Sequence, residues 1–309
     1  MASESIATLR SLGEDALIER LCAPLTRTAD LLAGPGDDCA VLRTETPGML
    51  RLLKTDCVVE GVHFAADTDP ERVGWKAAAR AVSDFAAMGG GQPHHALVTL
   101  IAPPDRSVSW AEGIYAGLSR CAERFGFAIV GGETSRPPRG CDVAMVSVCL
   151  SGTIAERSCR LRSGARPGNG IWTTGTLGRS FGTGKHLDFV PRVEEARWLC
   201  AQWPVTAMMD LSDGVARDLP RLATRSGIGF HLEESALPLT PGATVAEALG
   251  DGEDYELLFT LERDPDAREL LAWTVSCPGL ALTRIGTMVS IAAGETLAPA
   301  GWDAFRSEI

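Results

Sequence analysis

The chain has 309 residues, of which 45% are hydrophobic and 22% charged, and 40 acidic against 29 basic residues give a formal charge of -11. These values are typical of a folded globular protein, and the length favours two domains. No lysine and arginine run suggests a nucleic-acid partner. The nine cysteines form no C-x-x-C pair. There is no signal-peptide core and no run of about 18 apolar residues, so we expect a cytoplasmic protein without a membrane span.

The first half is predicted to mix helices with long strands. Asp69-Pro70 is typical of a helix start, and glycines end two helices. The predicted elements are a helix at 14–25, strands at 39–42 and 50–59, a helix from Pro70 to a stop at Gly89, a strand at 96–102, a helix at 109–126, a strand at 127–132 entering a tight turn, and a strand at 142–153.

The second half follows a polar connection at 154–170, which is the predicted domain boundary: domain one spans 1–153 and domain two 154–309. We expect Pro220 to kink or shorten its helix. The pattern indicates an α/β or α+β layered fold. The predicted elements are strands at 171–175, 205–214, 229–234 and 255–261, helices at 192–202, 213–227, 244–250 and 264–274, and an irregular tail.

Acidic residues recur beside glycines or strand ends. They occur in GPGDDCAVL, KTD, VSDFAAMG, GGET, MDLSDG and GDGEDYE. Each alone is explained as a turn or helix cap. Together they would repel one another unless a cation intervened, and Mg²⁺ prefers such oxygen ligands. Zinc is disfavoured because the five histidines lack ligand spacing.

Carboxylates, Mg²⁺ and glycine turns suggest phosphoryl transfer, in which metals neutralise phosphate charge. Gly131 and Gly132 would let backbone amides approach a phosphate. The chain has neither a Walker A sequence nor the protein-kinase signatures. The residues alone therefore indicate a Mg²⁺-dependent enzyme that acts on a phosphorylated or nucleotide substrate.

Seven segments in order resemble the thiamine-monophosphate kinase family of the aminoimidazole-ribonucleotide-synthetase-like superfamily. They are PGDDCAVL, TDCVVEGVHF, GWKAAARAVSDFAAMG, GGETSR, RSGARPG, DLSDGVARDL and GDGEDYELLFT, with a weaker echo at GWDAF. The resemblance implies two domains, the second α/β, and a homodimer whose N-terminal domains build a β-barrel across the interface. It also implies ATP-dependent, Mg²⁺-assisted phosphorylation of thiamine monophosphate to thiamine diphosphate, with no assigned catalytic base.

The resemblance also implies roles for individual residues, carried over by position. The nucleotide would contact Gly132, Glu133, Arg162 and Ser212, and the thiamine part would contact His63, Glu253 and Trp302. An apolar-flanked histidine or a lone tryptophan is more often part of a core. Asp37 is expected to secure its turn. The implied Mg²⁺ ligands are Asp38, Thr55, Asp56, Asp84, Glu133, Asp210 and Asp213.

Four departures from the family pattern bear on the substrate. Glu133 replaces the usual Asp, which moves the carboxylate by ~1.5 Å. Lys54 replaces a Ser or Thr that helps to hold Mg²⁺. Its ammonium would either occupy that metal's electrostatic place or contact phosphate, and we expect one fewer Mg²⁺. Ala81 replaces a polar residue, and the proline-rich segment is reduced to DFVPRV.

Alternative functions remain open at this stage. A divergent paralogue would keep the ATP and Mg²⁺ site but phosphorylate another small molecule. A non-catalytic nucleotide-binding protein is disfavoured because the acidic positions are retained and unpaired carboxylates are costly. Selenophosphate synthetase and the hydrogenase-maturation relative are disfavoured too, because the reactive cysteine each would need is not found where expected.

Overall fold

The computed structural model describes residues 8–298 and 300–306. The first half of this part contains four helices and six strands. They are α1 (Leu9–Leu12), α2 (Glu14–Cys22), β1 (Leu31–Ala33), β2 (Ala40–Arg43), β3 (Met49–Val59), α3 (Pro70–Ala87), β4 (Gln92–Ile101), α4 (Val108–Phe125), β5 (Ala128–Ser135) and β6 (Met145–Ala155).

Five strands and six helices follow in the second half of the described chain. They are β7 (Gly170–Thr174), α5 (Ser180–Thr183), α6 (Lys185–Asp188), α7 (Val193–Gln202), β8 (Val205–Asp210), α8 (Val215–Ser226), β9 (Gly229–Leu232), α9 (Val245–Gly250), β10 (Leu257–Leu261), α10 (Ala267–Ser276) and β11 (Leu282–Val289). No helix in the described ranges is long and apolar enough to cross a membrane.

The first sheet has the order β1-β2-β3-β6-β4-β5. Its strands pair antiparallel except for β4 and β5, which are parallel. The chain thus has the predicted mixed α/β character. The sheet is open, with β1 and β5 at its edges, so the described residues of one chain form no closed barrel.

Helix α3 packs between this sheet and the rest of the chain, and most of its side chains are buried. Asp69 caps its start by accepting a hydrogen bond from the Glu71 amide, as its sequence predicted. The helix lies against α4 at two glycines. A Cβ on Gly74 would lie 1.9 Å from the Ile114 carbonyl oxygen, and one on Gly117 would lie 1.9 Å from that of Glu71. Only glycine allows this backbone contact.

The second sheet has the order β8-β10-β7-β11-β9 and is antiparallel throughout. Its strand β11 lies where the sequence predicted an irregular tail. The segment LTRIGTMV contains Arg284 and Gly286, and the pairing register shifts between them, which interrupts the alternation typical of a strand. Strand β1 was also missed, because three residues are too short to show a period.

One local prediction was wrong. Strand β5 does not enter a tight turn at Gly131 and Gly132 but continues through them to Ser135, paired with β4. Helix α8 includes Pro220 and still extends over 12 residues, so the proline does not shorten it, and the alternative of a kink stays a prediction.

The predicted domain boundary at 153/154 falls near the end of β6, where the chain leaves the first sheet. One hydrophobic core nevertheless contains side chains from both halves, such as Leu150 of β6, Phe189 and Tyr255. A second, smaller core lies under α8 and the second sheet. The boundary stays a prediction.

Candidate functional site

Three carboxylates from three separate elements converge beside α3. Asp38 comes from the glycine-rich loop before β2, Asp84 from the last turn of α3, and Asp210 from the end of β8. One oxygen of each lies within 4.8 Å of the others, and all three residues are at most 6% exposed. This acidic trio brings together residues that the sequence predicted to bind Mg²⁺.

The acidic trio is short of positive charge. Burial raises the pKa of Asp84 well above its usual value, and the neighbouring carboxylates add to the shift. Burial also raises the pKa of Asp210 to about 7, with the charge of Asp38 contributing. Asp210 accepts a hydrogen bond from Ser83 Oγ, and across the described chain no lysine or arginine forms an ion pair with it. Three buried oxygen donors with this deficit suit a divalent cation.

Basic side chains approach the other members of the trio. Arg162 makes a two-point contact with Asp38, with its Nη2 2.6 Å from Oδ1 and its Nε 3.2 Å from Oδ2. The Lys54 ammonium lies 2.7 Å from Asp84 Oδ1 and 3.8 Å from Asp56 Oδ2. Lys54 therefore lies inside the carboxylate cluster, where the resemblance implies a Ser or Thr instead.

Asp56 lies on the same face of β3 as Lys54. Unlike the charge of the acidic trio, its negative charge is offset by two basic side chains. Arg80 Nη2 lies 3.4 Å from its Oδ1. Burial acts to raise the pKa of Asp56, but Lys54 and Arg80 hold that pKa below its usual value. Its charge is thus neutralised by side chains of the protein.

Asp37, the neighbour of Asp38, was predicted to secure its turn, and its side chain contacts a segment distant in sequence. Its Oδ1 accepts a hydrogen bond from the backbone amide of Arg162 at 2.7 Å. The contact joins the loop before β2 to the connection between the halves. It positions the same arginine that holds Asp38.

Thr55 and Glu133 do not join the trio within one chain. Side chains alternate along a strand and paired residues share a face. Thr55 pairs with Cys149 and Glu133 with Thr99, which places both side chains on the face of the first sheet opposite to Lys54. Their roles as metal ligands stay predictions.

Asp213 is also separate from the trio. Its carboxylate lies 2.5 Å from Arg221 Nη1. Its amide and that of Ser212 both donate to Asp218 Oδ2, which fixes the turn after β8. The Trp302 amide donates to the Asp213 carbonyl, so Trp302 lies beside this turn.

Gly132 has a structural reason to be glycine. A Cβ there would lie 1.9 Å from the Val98 carbonyl oxygen of the neighbouring strand. The residue therefore allows β5 to approach β4, and this explains the glycine without a phosphate. A contact with nucleotide stays a prediction.

A second charged cluster surrounds the ammonium of Lys76, whose side chain is completely buried. Lys76 Nζ donates to the His63 carbonyl at 2.6 Å, contacts His186 Nδ1 at 2.9 Å, and makes a short contact with Glu253. These contacts account for all three ammonium donors. We call Lys76, His63, His186 and Glu253 the lysine cluster. It brings together two residues predicted to bind the thiamine part, from opposite halves of the chain.

Glu253 is the most constrained member of the lysine cluster. Its backbone φ is 59°, in the left-handed region that disfavours side chains. Besides Lys76, its carboxylate contacts Tyr255 Oη at 2.9 Å and Arg80 Nη1 at 3.5 Å. Burial acts to raise the pKa of Glu253, but Lys76 and Arg80 keep it below its usual value. Strain of this kind is frequent at functional sites.

Burial lowers the pKa values of both histidines in the lysine cluster to about 4. His63 Nδ1 accepts a hydrogen bond from the Val59 amide. At neutral pH both rings are uncharged, so His186 Nδ1 can accept a hydrogen bond from the Lys76 ammonium. The cluster is therefore a set of complementary donors and acceptors.

Sequence reasoning missed Lys76, Arg80 and His186. A signal was present for the first two. In the alanine-rich α3 they stand four residues apart, and Asp84 follows four residues later, so the three share one helical face. His186 gave no such signal, because it lies in a glycine-rich connection without periodicity.

Comparison with known proteins identifies the family of this chain. The family model "AIR synthase related protein, N-terminal domain" matches residues 36–154. The thiamine-monophosphate kinase of Synechococcus elongatus is 32% identical over 294 residues, covering 85% of each chain. That of Aquifex aeolicus is 33% identical over 330 residues, covering 96% of this chain and 99% of the relative. The chain belongs to the thiamine-monophosphate kinase family.

Solved structures give the same result. "AaThiL complexed with AMPPCP and TMP" matches with a TM-score of 0.80 and 31% identity, covering 97% of this chain and 100% of the other. The hydrogenase maturation protein HypE in complex with ATP has a TM-score of 0.63 at 22% identity, covering 88% and 86%. The second likeness concerns the fold alone.

Proposed function

We propose that this protein transfers the γ-phosphoryl group of ATP to the phosphate of thiamine monophosphate in a Mg²⁺-dependent reaction. The observation that carries the proposal is the acidic trio, in which Asp210 has no basic partner among the residues that the structure describes. The AaThiL structure with AMPPCP and TMP supports the pair of substrates, because it belongs to a protein that this chain matches along nearly its whole length.

The acidic trio fits Mg²⁺, and Asp38, Asp84 and Asp210 would hold it. When bound, the metal would neutralise phosphate oxygens during transfer. The acceptor is a phosphate that is already anionic, so no general base is needed. Arg162 would stay on Asp38 and orient it, while Lys54 would keep positive charge beside Asp84.

The lysine cluster would bind the organic part of the acceptor. Glu253 and His63, which the resemblance implies for contact with the thiamine part, lie there together around Lys76. Ser212, Asp213 and Trp302 lie at the neighbouring turn. There Ser212 would contact the nucleotide, Asp213 a metal ion and Trp302 the thiamine part of the acceptor.

We further infer a homodimer formed through the outer face of the first sheet, and a cytoplasmic location. The outer face has exposed apolar side chains, with Leu53 38% and Leu97 50% exposed. Two such faces packed together would complete the barrel and place Thr55 and Glu133 at the interface. All nine cysteines are free thiols, which supports a reducing compartment.

The Lys54–Asp84 ion pair favours a second candidate. A site already holding an ammonium could bind nucleotide and transfer its phosphoryl group to a different phosphorylated acceptor, or retain nucleotide without transfer. This candidate shares the fold and the acidic trio with the first and differs in the product.

The test is a product assay with purified protein, ATP, Mg²⁺ and thiamine monophosphate, in which thiamine diphosphate and ADP are separated by chromatography. We expect equal amounts of both products from the wild type and neither from Asp84→Asn. ATP binding without thiamine diphosphate would reject the proposed acceptor and favour the second candidate.

A further inference from the structure

The segment from Gly178 to Phe189 is held firmly against the lysine cluster. At its start, the Gly178 amide and the Ser180 hydroxyl both donate to Asp254, with the hydroxyl at 2.7 Å. The Arg179 amide donates to Asp251 at 2.8 Å. Asp254 directly follows Glu253, so the strained motif that orients Glu253 also fixes this segment.

The end of the same segment is held by α3. Arg72 forms an ion pair with Asp188, and the indole nitrogen of Trp75 donates to the Phe189 carbonyl at 2.9 Å. The Phe189 ring stacks on Tyr255 with centroids 3.9 Å apart. Both ends of the segment are thus tied to elements of the core.

One large apolar side chain of this fixed segment is exposed. Phe181 is 48% exposed, whereas Leu187 and Phe189 of the same segment are buried. Its ring lies against His186, with centroids 4.3 Å apart, and its centroid is 5.4 Å from Lys76 Nζ. An exposed aromatic ring on a segment tied at both ends, in contact with the lysine cluster, is suited to act as a preorganised binding surface.

We propose that Phe181, supported by His186, is the platform on which a planar heteroaromatic ring of the acceptor stacks. This inference rests on the proposed function and adds a specificity residue to it. A phenyl face attracts planar rings and cations, and the thiamine part offers both a pyrimidine and a cationic thiazolium. The contact of Lys76 with His186 Nδ1 at 2.9 Å fixes the ring on which Phe181 rests, so the lysine cluster would hold the platform in place.

The platform is tested by equilibrium binding, measured by calorimetry with two probes. Thiamine monophosphate carries the rings, and phosphoethanolamine is a phosphate monoester without them. We expect Phe181→Ala to weaken binding of thiamine monophosphate by about tenfold, the size of one aromatic stacking contact. Phosphoethanolamine binding should not change, and Phe181→Tyr should restore the affinity for thiamine monophosphate.

The matched control is Tyr115→Ala, which removes an aromatic ring of 36% exposure from α4. It should leave both affinities unchanged. If Phe181→Ala binds thiamine monophosphate as tightly as the wild type, or if it weakens both probes equally, the platform is refuted. If the wild type binds ATP but does not bind thiamine monophosphate and forms no thiamine diphosphate, the proposed function itself fails. That outcome differs from a failure of the platform alone.

Discussion

The acidic trio and the lysine cluster lie beside the same helix, α3, yet their charges are balanced in opposite ways. In the trio, Asp210 has only a hydroxyl partner, and burial raises its pKa to about 7. In the lysine cluster, Glu253 contacts both Lys76 and Arg80, and its pKa is below the usual value. Both carboxylates are buried, so burial alone does not explain the difference.

The difference shows which of the two clusters would be stabilised by a bound cation. A buried carboxylate without a cation is unstable and gains most from a bound metal, whereas one between two cations is complete without a ligand. The trio therefore suits Mg²⁺, and the lysine cluster suits a group recognised by shape and hydrogen bonds. The same contrast predicts opposite effects of neutralising one carboxylate in each.

The largest expected effect is the loss of activity in Asp210→Asn. Removal of a metal ligand should cost roughly 10³-fold in kcat, because charge stabilisation by a metal amounts to several kcal/mol. The metal-free variant should be at least as stable as the wild type, since repulsion within the trio falls. Steady-state kinetics and thermal unfolding without metal measure both. A marked loss of stability would mean that Asp210 is satisfied by the fold itself.

Glu253→Gln should have the opposite effect to Asp210→Asn, because it should reduce stability more than activity. It leaves the Lys76 ammonium buried without its carboxylate, which should lower the free energy of unfolding by about 3 kcal/mol. Urea denaturation measures this loss. Glu194→Gln, which breaks only a surface pair with Arg197, should change stability by less than about 0.5 kcal/mol. Equal effects of the two variants would contradict the arrangement of the lysine cluster.

Lys54→Ser tests whether a lysine occupies a metal's place beside Asp84. Without the ammonium, the cluster has one cation fewer, and we expect one more Mn²⁺ to bind per chain. The number of bound ions, counted by electron paramagnetic resonance with a non-hydrolysable ATP analogue, decides the matter. An unchanged number, or a metal ion beside Lys54 in the wild type, would leave the lysine as a phosphate contact.

The last effect concerns the pH dependence of stability without metal. The folded pKa of Asp210, about 7, exceeds the ordinary value of 3.8, so the folded state binds this proton more tightly than the unfolded state. Its contribution to stability is therefore present at low pH and is lost as the pH rises from about 4 to 7. The wild type should lose stability relative to Asp210→Asn across that window, as measured by urea midpoints. Saturating Mg²⁺ should reverse the trend, and parallel curves would contradict it.

The acidic clusters were visible in the sequence because Asp38, Asp84 and Asp210 each stand at a glycine-flanked turn or near the end of an element. The resemblance to the family then implied that these three residues bind metal. The sequence did not show which of the predicted ligands lie close together. Thr55 and Glu133 are on the other face of the first sheet, and the face of each residue depends on how the strands pair. His186 and Phe181 lie in short helices without periodicity, positioned by contacts with Asp254 that are distant in sequence.

The main helices were predictable because Asp69 supplies a cap and glycines supply stops. Strand β11 was not, because its bulge at Arg284 breaks the alternation on which the prediction relies. Local chemistry thus determines where an element begins, while long-range pairing decides whether an irregular segment becomes a strand.

The glycine contact between α3 and α4 fixes the position of α3 along its own axis. Lys76 and Asp84 are eight residues apart on it, which corresponds to about 12 Å along the helix axis. Because Gly74 and Gly117 bring the two backbones together, α3 cannot slide without separating from its neighbour. The distance between ring recognition and phosphoryl transfer is thereby set by a count of residues. The length of an acceptor, measured from its rings to its phosphate, becomes a criterion of selection.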